Sequence, residues 1–171
     1  MISIRREQLG DVAAIRTLNE LAFNGSLEAD IVDALRQPSV GMLSLVAVEN
    51  GSIVGHLAFS PVTVEATNGT VTGMGLAPMA VLPDHQHQGI GSDLVRHGLA
   101  LLQEQRCPFV IVLGYPTYYP RFGFVPASRH GLTCQWEGVP DEAFMVLVLD
   151  PDRMRGVHGI AKYRDEFNMA M

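Results

Sequence analysis

The sequence predicts a single α+β, or mixed α/β, domain, and three observations predict it. Two Asn-Gly pairs, Asn50-Gly51 and Asn68-Gly69, sit between strand-like stretches and mark an antiparallel meander in the middle of the chain. A strand, a polar loop and two glycines then lead into a long amphipathic stretch, Gly91 to Gln105. Finally, 171 residues at 47% hydrophobic and 18% charged are enough to bury a core without disulfides or metals, and too apolar for a disordered chain.

The elements follow in order. Ile2 and Ile4 alternate with Ser3 and Arg5, an edge-strand signal. Asp11 offers an N-cap to a helix whose apolar stripe is Val12, Ile15, Leu18, Leu21 and Ala22. Gly25-Ser26 breaks it, and Leu27, Ile31, Val32 and Leu35 line a second helix that stops before Pro38. Leu43 to Val48 reads as a buried strand. Its hairpin partner runs from about Ile53 to Glu65, with Gly55 and Pro61 suggesting a bulge or bend. A third strand spans about Thr70 to Val81. After the long helix, Phe109–Leu113 is a continuous apolar strand between Pro108 and Gly114. A short aromatic helix or turn fits Thr117 to Arg121, and late strands fit Leu132 to Trp136 and Phe144 to Leu149. The expected organisation is one domain over residues 1–150, with an irregular or loosely helical tail, 151–171, packed on it.

Composition narrows the function. Twelve Lys plus Arg against 18 Asp plus Glu give a net charge of −6, which argues against broad binding to nucleic-acid phosphates. No apolar run approaches the ~20 residues of a membrane-spanning helix. Cys107 and Cys134 lie far apart without metal-ligand spacing, and two reduced cysteines fit a cytoplasmic compartment.

The most informative segment runs from Met79 to Ser92. Glycine lets the backbone approach a ligand closely, and the N–H groups of a helix N-terminus attract anions, so Gly89 and Gly91 shape a phosphate or pyrophosphate site. A P-loop is excluded because no Gly-Lys-Ser/Thr is present. A dinucleotide fingerprint fits poorly, since position 94 is Leu and the preceding strands are antiparallel. Gln86-x-x-Gly89-x-Gly91, reached from Met79-x-Val81-x-Pro83, resembles the acetyl-coenzyme A loop of the GNAT N-acetyltransferase superfamily. The resemblance implies a GNAT fold: a mostly antiparallel sheet flanked by helices, whose splayed strands form the acetyl-CoA cleft. It also implies that Met79, Ala80 and Val81 face the pantetheine and thioester. Gln86, His87, Gln88, Gly89, Ile90, Gly91 and Ser92 would then cradle the pyrophosphate.

Many GNAT enzymes carry an aromatic-Tyr-x-x-x-Gly-Phe segment, and Tyr118-Tyr119-Pro120-Arg121-Phe122-Gly123-Phe124 is similar to it without a gap. The residue aligned with the usual proton donor is Tyr119. A phenol suits that role. Its ordinary pKa, near 10, keeps it protonated at working pH while a thiolate departs. A backbone N–H near Val81 would stabilise the oxyanion formed when an amine attacks the thioester. The asparagine that many members place seven positions earlier is Val112 here. Within the superfamily the chain resembles the YhbS-like group. The shared positions include Phe23, Glu28-Ala29, Ala58-Phe59-Ser60-Pro61, Gly75, Trp136 and the Tyr163–Phe167 stretch.

The base is less marked. Glu20 and Glu28 flank the break between the first two helices, a region that commonly lines the acceptor side in this family. Glu28 is the candidate base, though a solvated helix carboxylate is the commoner use of such a residue. His56 can face a cleft, but a half-buried strand histidine bonded to its neighbours is the plainer reading. His85 and His87 without a third ligand are weak metal signals, and no metal is expected. The sequence thus points to an acetyltransferase passing acetyl from acetyl-CoA directly to a primary amine of a small molecule or peptide, in a ternary complex. The alternative is a non-catalytic acyl-CoA-binding regulatory module. The acceptor's identity and the oligomeric state, a homodimer included, stay open.

Overall fold

The computed structural model describes all 171 residues. The chain forms two compact units, one of Met1–Phe59, Ala77–Leu101 and Glu166–Met171, the other of Ser60–Leu76 and Leu102–Asp165. Two long strands, β3 and β4 below, run through both.

The first unit holds β1 (Ile2–Arg6), α1 (Val12–Phe23), α2 (Leu27–Leu35), β2 (Leu43–Glu49), the start of β3 (Ser52–Ala66), the end of β4 (Gly69–Val81) and most of α3 (Ile90–Glu104). Its strands are ordered β1-β2-β3-β4, which makes β1 the edge. β1 pairs antiparallel with β2 from Ile2↔Glu49 to Arg6↔Leu45. Asn50 at φ 51 and Gly51 at φ 78 close the β2–β3 hairpin with positive φ at both central residues, as an Asn-Gly turn of type I′ requires. The bulge suggested by Gly55 is present: the register steps from Ala47↔Gly55 to Val48↔Ile53.

Strand alternation then distributes the helices. Val46 points to the face where it joins Ile15 of α1 and Val32 of α2 in one buried cluster. Leu45 and Ala47 point the other way, towards α3. On that side Gly98 lies against the Phe59 ring and Gly55 lies under Ile90 and Leu94. Phe59, Leu45 and Leu94 are fully buried, each worth about 1.5–3 kcal/mol of apolar burial.

Three local expectations change here. Asp11 does not cap α1. Its carboxylate accepts from the Gln8 amide at 2.7 Å and pairs with Arg5 at 2.6 Å, so it closes a short 3₁₀ turn, Leu9–Asp11, one step earlier. Leu21 and Leu27, placed on the apolar stripes, are 53% and 37% exposed. They fall at the end of α1 and the start of α2, where the chain turns through left-handed Asn24 and exposed Gly25.

The second unit contains β5 (Phe109–Leu113), β6 (Val125–Pro126), β7 (Leu132–Cys134), β8 (Phe144–Val148), α4 (Pro151–Met154) and β9 (Gly159–Lys162), with the remaining parts of β3 and β4. β4 pairs with β5 in parallel, from Met74↔Val110 to Leu76↔Val112. β5 pairs antiparallel with β8 along its whole length, and β8 with β6. Phe109 to Val112 are buried, as a strand covered on both faces should be. The tail is more ordered than its composition suggested. β9 joins β3 at Thr63↔Lys162 and Val64↔Ala161, and β7 runs parallel to it. Gly156 and Gly159 interrupt the hydrophobic pattern there and hide a four-residue strand from periodicity. The two residues of β6 are too few to give any period.

Candidate active site

The glycine turn is built at the end of β4. The parallel ladder with β5 ends at Leu76, yet β4 continues to Val81. Pro78 lies in that continuation and has no N–H to give to any ladder. Leu82 N–H donates to Val54 O at 3.0 Å, and Pro83–His85 then make one 3₁₀ turn. Gln86, His87, Gln88 and Gly89 are exposed. The chain reverses through His87 at φ 64 and Gly89 at φ 86 and enters α3 at Ile90.

The first helical bond in this stretch is Asp93 N–H to Gly89 O, 3.0 Å. Helix geometry therefore leaves the amides of Ile90 and Gly91, in the first turn of α3, without an intrahelical acceptor. A Cβ built on Gly89 would meet nothing within 4 Å, so its backbone borders open space. No acidic residue lies between His85 and Ser92. Backbone donors, a helix N-terminus and open space together fit the diphosphate of a coenzyme. Gln86 is turned back: its Nε2 donates to Val81 O at 3.1 Å, which ties the turn to the last residue of β4. Of the residues expected at the thioester end, Ala80 is buried and Met79 and Val81 are half-buried.

Tyr119 belongs to the second unit. It opens a 3₁₀ turn, Tyr119–Phe122, and is buried. Its ring lies edge-on to Tyr118 at 5.0 Å and to Phe124 at 5.9 Å between centroids. Gly114, just past β5, makes room for it, since a Cβ there would come within 2.4 Å of Tyr119 Cε2. Burial pushes the phenol pKa well above its usual value, and the neighbouring Tyr118 and Tyr115 push the same way. Tyr119 is thus a neutral hydroxyl across the physiological range. Phe124 is buried and Phe122 half-buried, the core-closing use that dense aromatics suggest.

The candidate carboxylates divide. Glu20 pairs with Arg16 at 3.0 Å, and the same guanidinium reaches Asp30 and Asp33 of α2 at 2.8 and 2.7 Å. Arg16 so clamps α1 to α2. Glu28 stands half-buried in the first turn of α2.

His56 is fully buried, not half-buried, and it sits in a polar chain that the sequence did not announce. Asn19 Nδ2 donates to Ile15 O and lies 3.2 Å from His56 Nδ1; Ser44 Oγ lies 2.9 Å from His56 Nε2. Because Nδ1 accepts, Nε2 carries the hydrogen and donates to Ser44. Ser44 in turn donates to Glu7 Oε1 at 2.8 Å, and Arg36 holds the Glu7 carboxylate at 2.8 and 3.1 Å. Burial drops the His56 pKa to about 4, Glu7 opposing and Arg36 assisting. Burial acts to raise the Glu7 pKa, but Arg36 and Ser44 outweigh it and hold it below the ordinary carboxylate range. A neutral histidine locked between α1 and β2 is structural. The one trace of it in the sequence, Glu7 and Ser44 as isolated polar residues beside strand positions, is too common to single out.

The first unit is thus a sheet with helices on both faces, whose β4 outruns its parallel partner into a glycine turn. The family model described as an acetyltransferase (GNAT) domain matches residues 3–127, and the chain belongs to the GNAT family. It is 38% identical over 166 residues to the uncharacterized N-acetyltransferase YhbS of Escherichia coli K12, covering 96% of this chain and 98% of that one. The crystal structure of E. coli YhbS in complex with CoA superposes with a TM-score of 0.89 at 37% identity, over 98% of this chain and 92% of that one. A GNAT acetyltransferase from Brucella melitensis in complex with acetyl-CoA gives 0.80 at 36% identity, over 98% of both chains. The protein is an N-acetyltransferase of this family. No helix is long and apolar enough to cross a membrane.

Proposed function

We propose that this enzyme moves the acetyl group from acetyl-CoA straight to a primary amine within a ternary complex, with Tyr119 as general acid. The observation that carries the reading is the exposed turn from Gln86 to Gly89 that leads into the N-terminus of α3 and is open on the Gly89 side. Acetyl-CoA supplies the acetyl group as an activated thioester. Its diphosphate suits the segment from Gln86 to Ser92, with the Ile90 and Gly91 amides as donors, and its pantetheine arm suits β4 from Met79 to Val81. Tyr119 holds the proton that the coenzyme sulfur takes as the carbon–sulfur bond breaks. Glu28, or water, receives the proton that the amine gives up as the new carbon–nitrogen bond forms. Proton transfer of this kind contributes typically ~10²–10⁴-fold. The acceptor is a small molecule or peptide amine and the setting cytoplasmic, consistent with the acidic balance of the chain and its unpaired cysteines.

A calorimetric titration with acetyl-CoA, with ATP as control, tests the coenzyme site. Selective binding of acetyl-CoA is expected; equal binding of ATP would turn the turn into a general nucleotide site. An amine panel then follows with wild type and Tyr119→Phe. The variant should lose about 10²-fold or more in kcat with acetyl-CoA affinity unchanged. Intersecting double-reciprocal lines support the ternary complex, and parallel lines would replace it with an acyl-enzyme. Binding without turnover on any amine would favour a regulatory module.

A further inference from the structure

The turn that carries the reading above contains a local strain and one tie to a distant strand. His87 is a non-glycine residue at φ 64, a left-handed conformation that persists only where the surroundings hold it. The side-chain amides of Gln86 and Gln88 bond back to Val81 O and Asp84 O, within the same segment. His85 reaches further. Its Nε2 lies 2.9 Å from Glu49 Oε2, with both side chains about 30% exposed or less, at 27% and 30%.

Glu49 is a firm anchor. It ends β2, pairs with Ile2 on one side and with Ser52 on the other, and adjoins the tight Asn50-Gly51 turn. The other ring nitrogen, His85 Nδ1, is buried and has no hydrogen-bond partner. The polar contact of this imidazole is therefore the carboxylate, and Nε2–H donates to it. The backbone adds a second fixed point next to it, Leu82 N–H on Val54 O. Beyond these two points the exposed turn begins.

We infer that Glu49 and His85 are positioning residues for acetyl-CoA: their contact holds the Gln86–Gly89 turn in the conformation that aims the first amides of α3 at the diphosphate. The inference rests on the proposed coenzyme site. It places part of the control of coenzyme affinity on Glu49, at the β2 end of the β2–β3 hairpin.

The test pairs calorimetry with hydrogen exchange on Glu49→Ala, Glu49→Gln and wild type. In Glu49→Ala the dissociation constant for acetyl-CoA should rise about tenfold, the loss of one charge-assisted hydrogen bond. Amide exchange in ligand-free protein should quicken over residues 86–92 and stay unchanged in α1 and β2. Glu49→Gln keeps an acceptor for Nε2–H and should restore affinity to within about threefold of wild type. Unchanged affinity and exchange in Glu49→Ala would overturn the inference. So would faster exchange across the whole first unit in both variants, which marks general support of the fold. Failure of wild type to bind acetyl-CoA would instead bring down the coenzyme site itself, whatever the variants do.

Discussion

His56 and Tyr119 show how burial alone decides what a titratable side chain can do. Burial drops the pKa of His56 to about 4 from an ordinary 6.5, so the unfolded chain binds a proton that the native protein refuses between those values. Stability from this group is complete above pH 6.5 and is lost as pH falls towards 4, on the order of 3 kcal/mol in all. Glu7, depressed below its ordinary 4.5, adds a loss of the same sign only below that pH. Urea melts at pH 7 and pH 5 should therefore show a fall in wild type and a much smaller one in His56→Gln. Equal falls would show that His56 is not the acid-sensitive group. For Tyr119 the neighbour to change is Gly114. Its φ is not in the left-handed region, so alanine is acceptable to the backbone, but the new methyl would sit 2.4 Å from the Tyr119 ring edge. Gly114→Ala should cost about 1–3 kcal/mol of stability and cut kcat more than acetyl-CoA affinity, because it displaces the proposed acid and leaves the glycine turn alone. An unimpaired kcat would separate Tyr119's position from catalysis.

At the scale of elements, α3 matters most, since its N-terminus carries the turn and its body must lie close to the sheet. Gly98 permits that approach: a Cβ there would come within 2.4 Å of Phe59 Cε2, and Phe59 is fully buried with nowhere to retreat. Gly98→Ala should destabilise by about 1–3 kcal/mol and weaken acetyl-CoA binding by tilting the helix, measurable by melts and calorimetry together. Nothing in the sequence singled out Gly98. It sits mid-helix in a run read for its leucines, and only the ring opposite gives it meaning. The same limit explains what else was legible. The strands Phe109–Leu113 and Leu43–Glu49, the Asn50-Gly51 hairpin and the α3 turn carry strong local chemistry, and each lies where periodicity and turn residues put it. β6, β9 and the early cap at Asp11 depend on partners far along the chain. So does the Asn19–His56–Ser44–Glu7 chain, which joins four separate elements or their flanks. The glycine turn was readable because a strand, a polar loop and two glycines before a long helix form a compact local pattern, and Gly89 does take a positive φ. The Glu49–His85 contact was not, because thirty-six positions separate its members.

For the whole molecule, β3 and β4 belong to both compact units, so neither unit can unravel without surrendering strands the other uses. Unfolding should then be a single transition. Trp136, the one tryptophan, reports on the second unit, while helical circular dichroism is dominated by α1, α2 and α3, which lie mainly in the first. The two melting curves should coincide, and acetyl-CoA at 100 times its dissociation constant should move both upward by about 5–10 °C. Curves that separate, or a shift confined to one probe, would show units that melt alone.

The burial of Tyr119 reaches beyond its ring contacts. A phenol held protonated so far into alkali takes no part in setting the upper limit of the enzyme's working pH. With Tyr119 fixed as an acid, the ionisation of the acceptor, which must be a free amine to react, is left to set the lower limit. Each acceptor should accordingly impose its own optimum, with weakly basic amines turning over at lower pH than strongly basic ones. A series of amines graded by basicity would then read out its own ionisation, and the enzyme would act as a fixed acid against which each nucleophile is titrated.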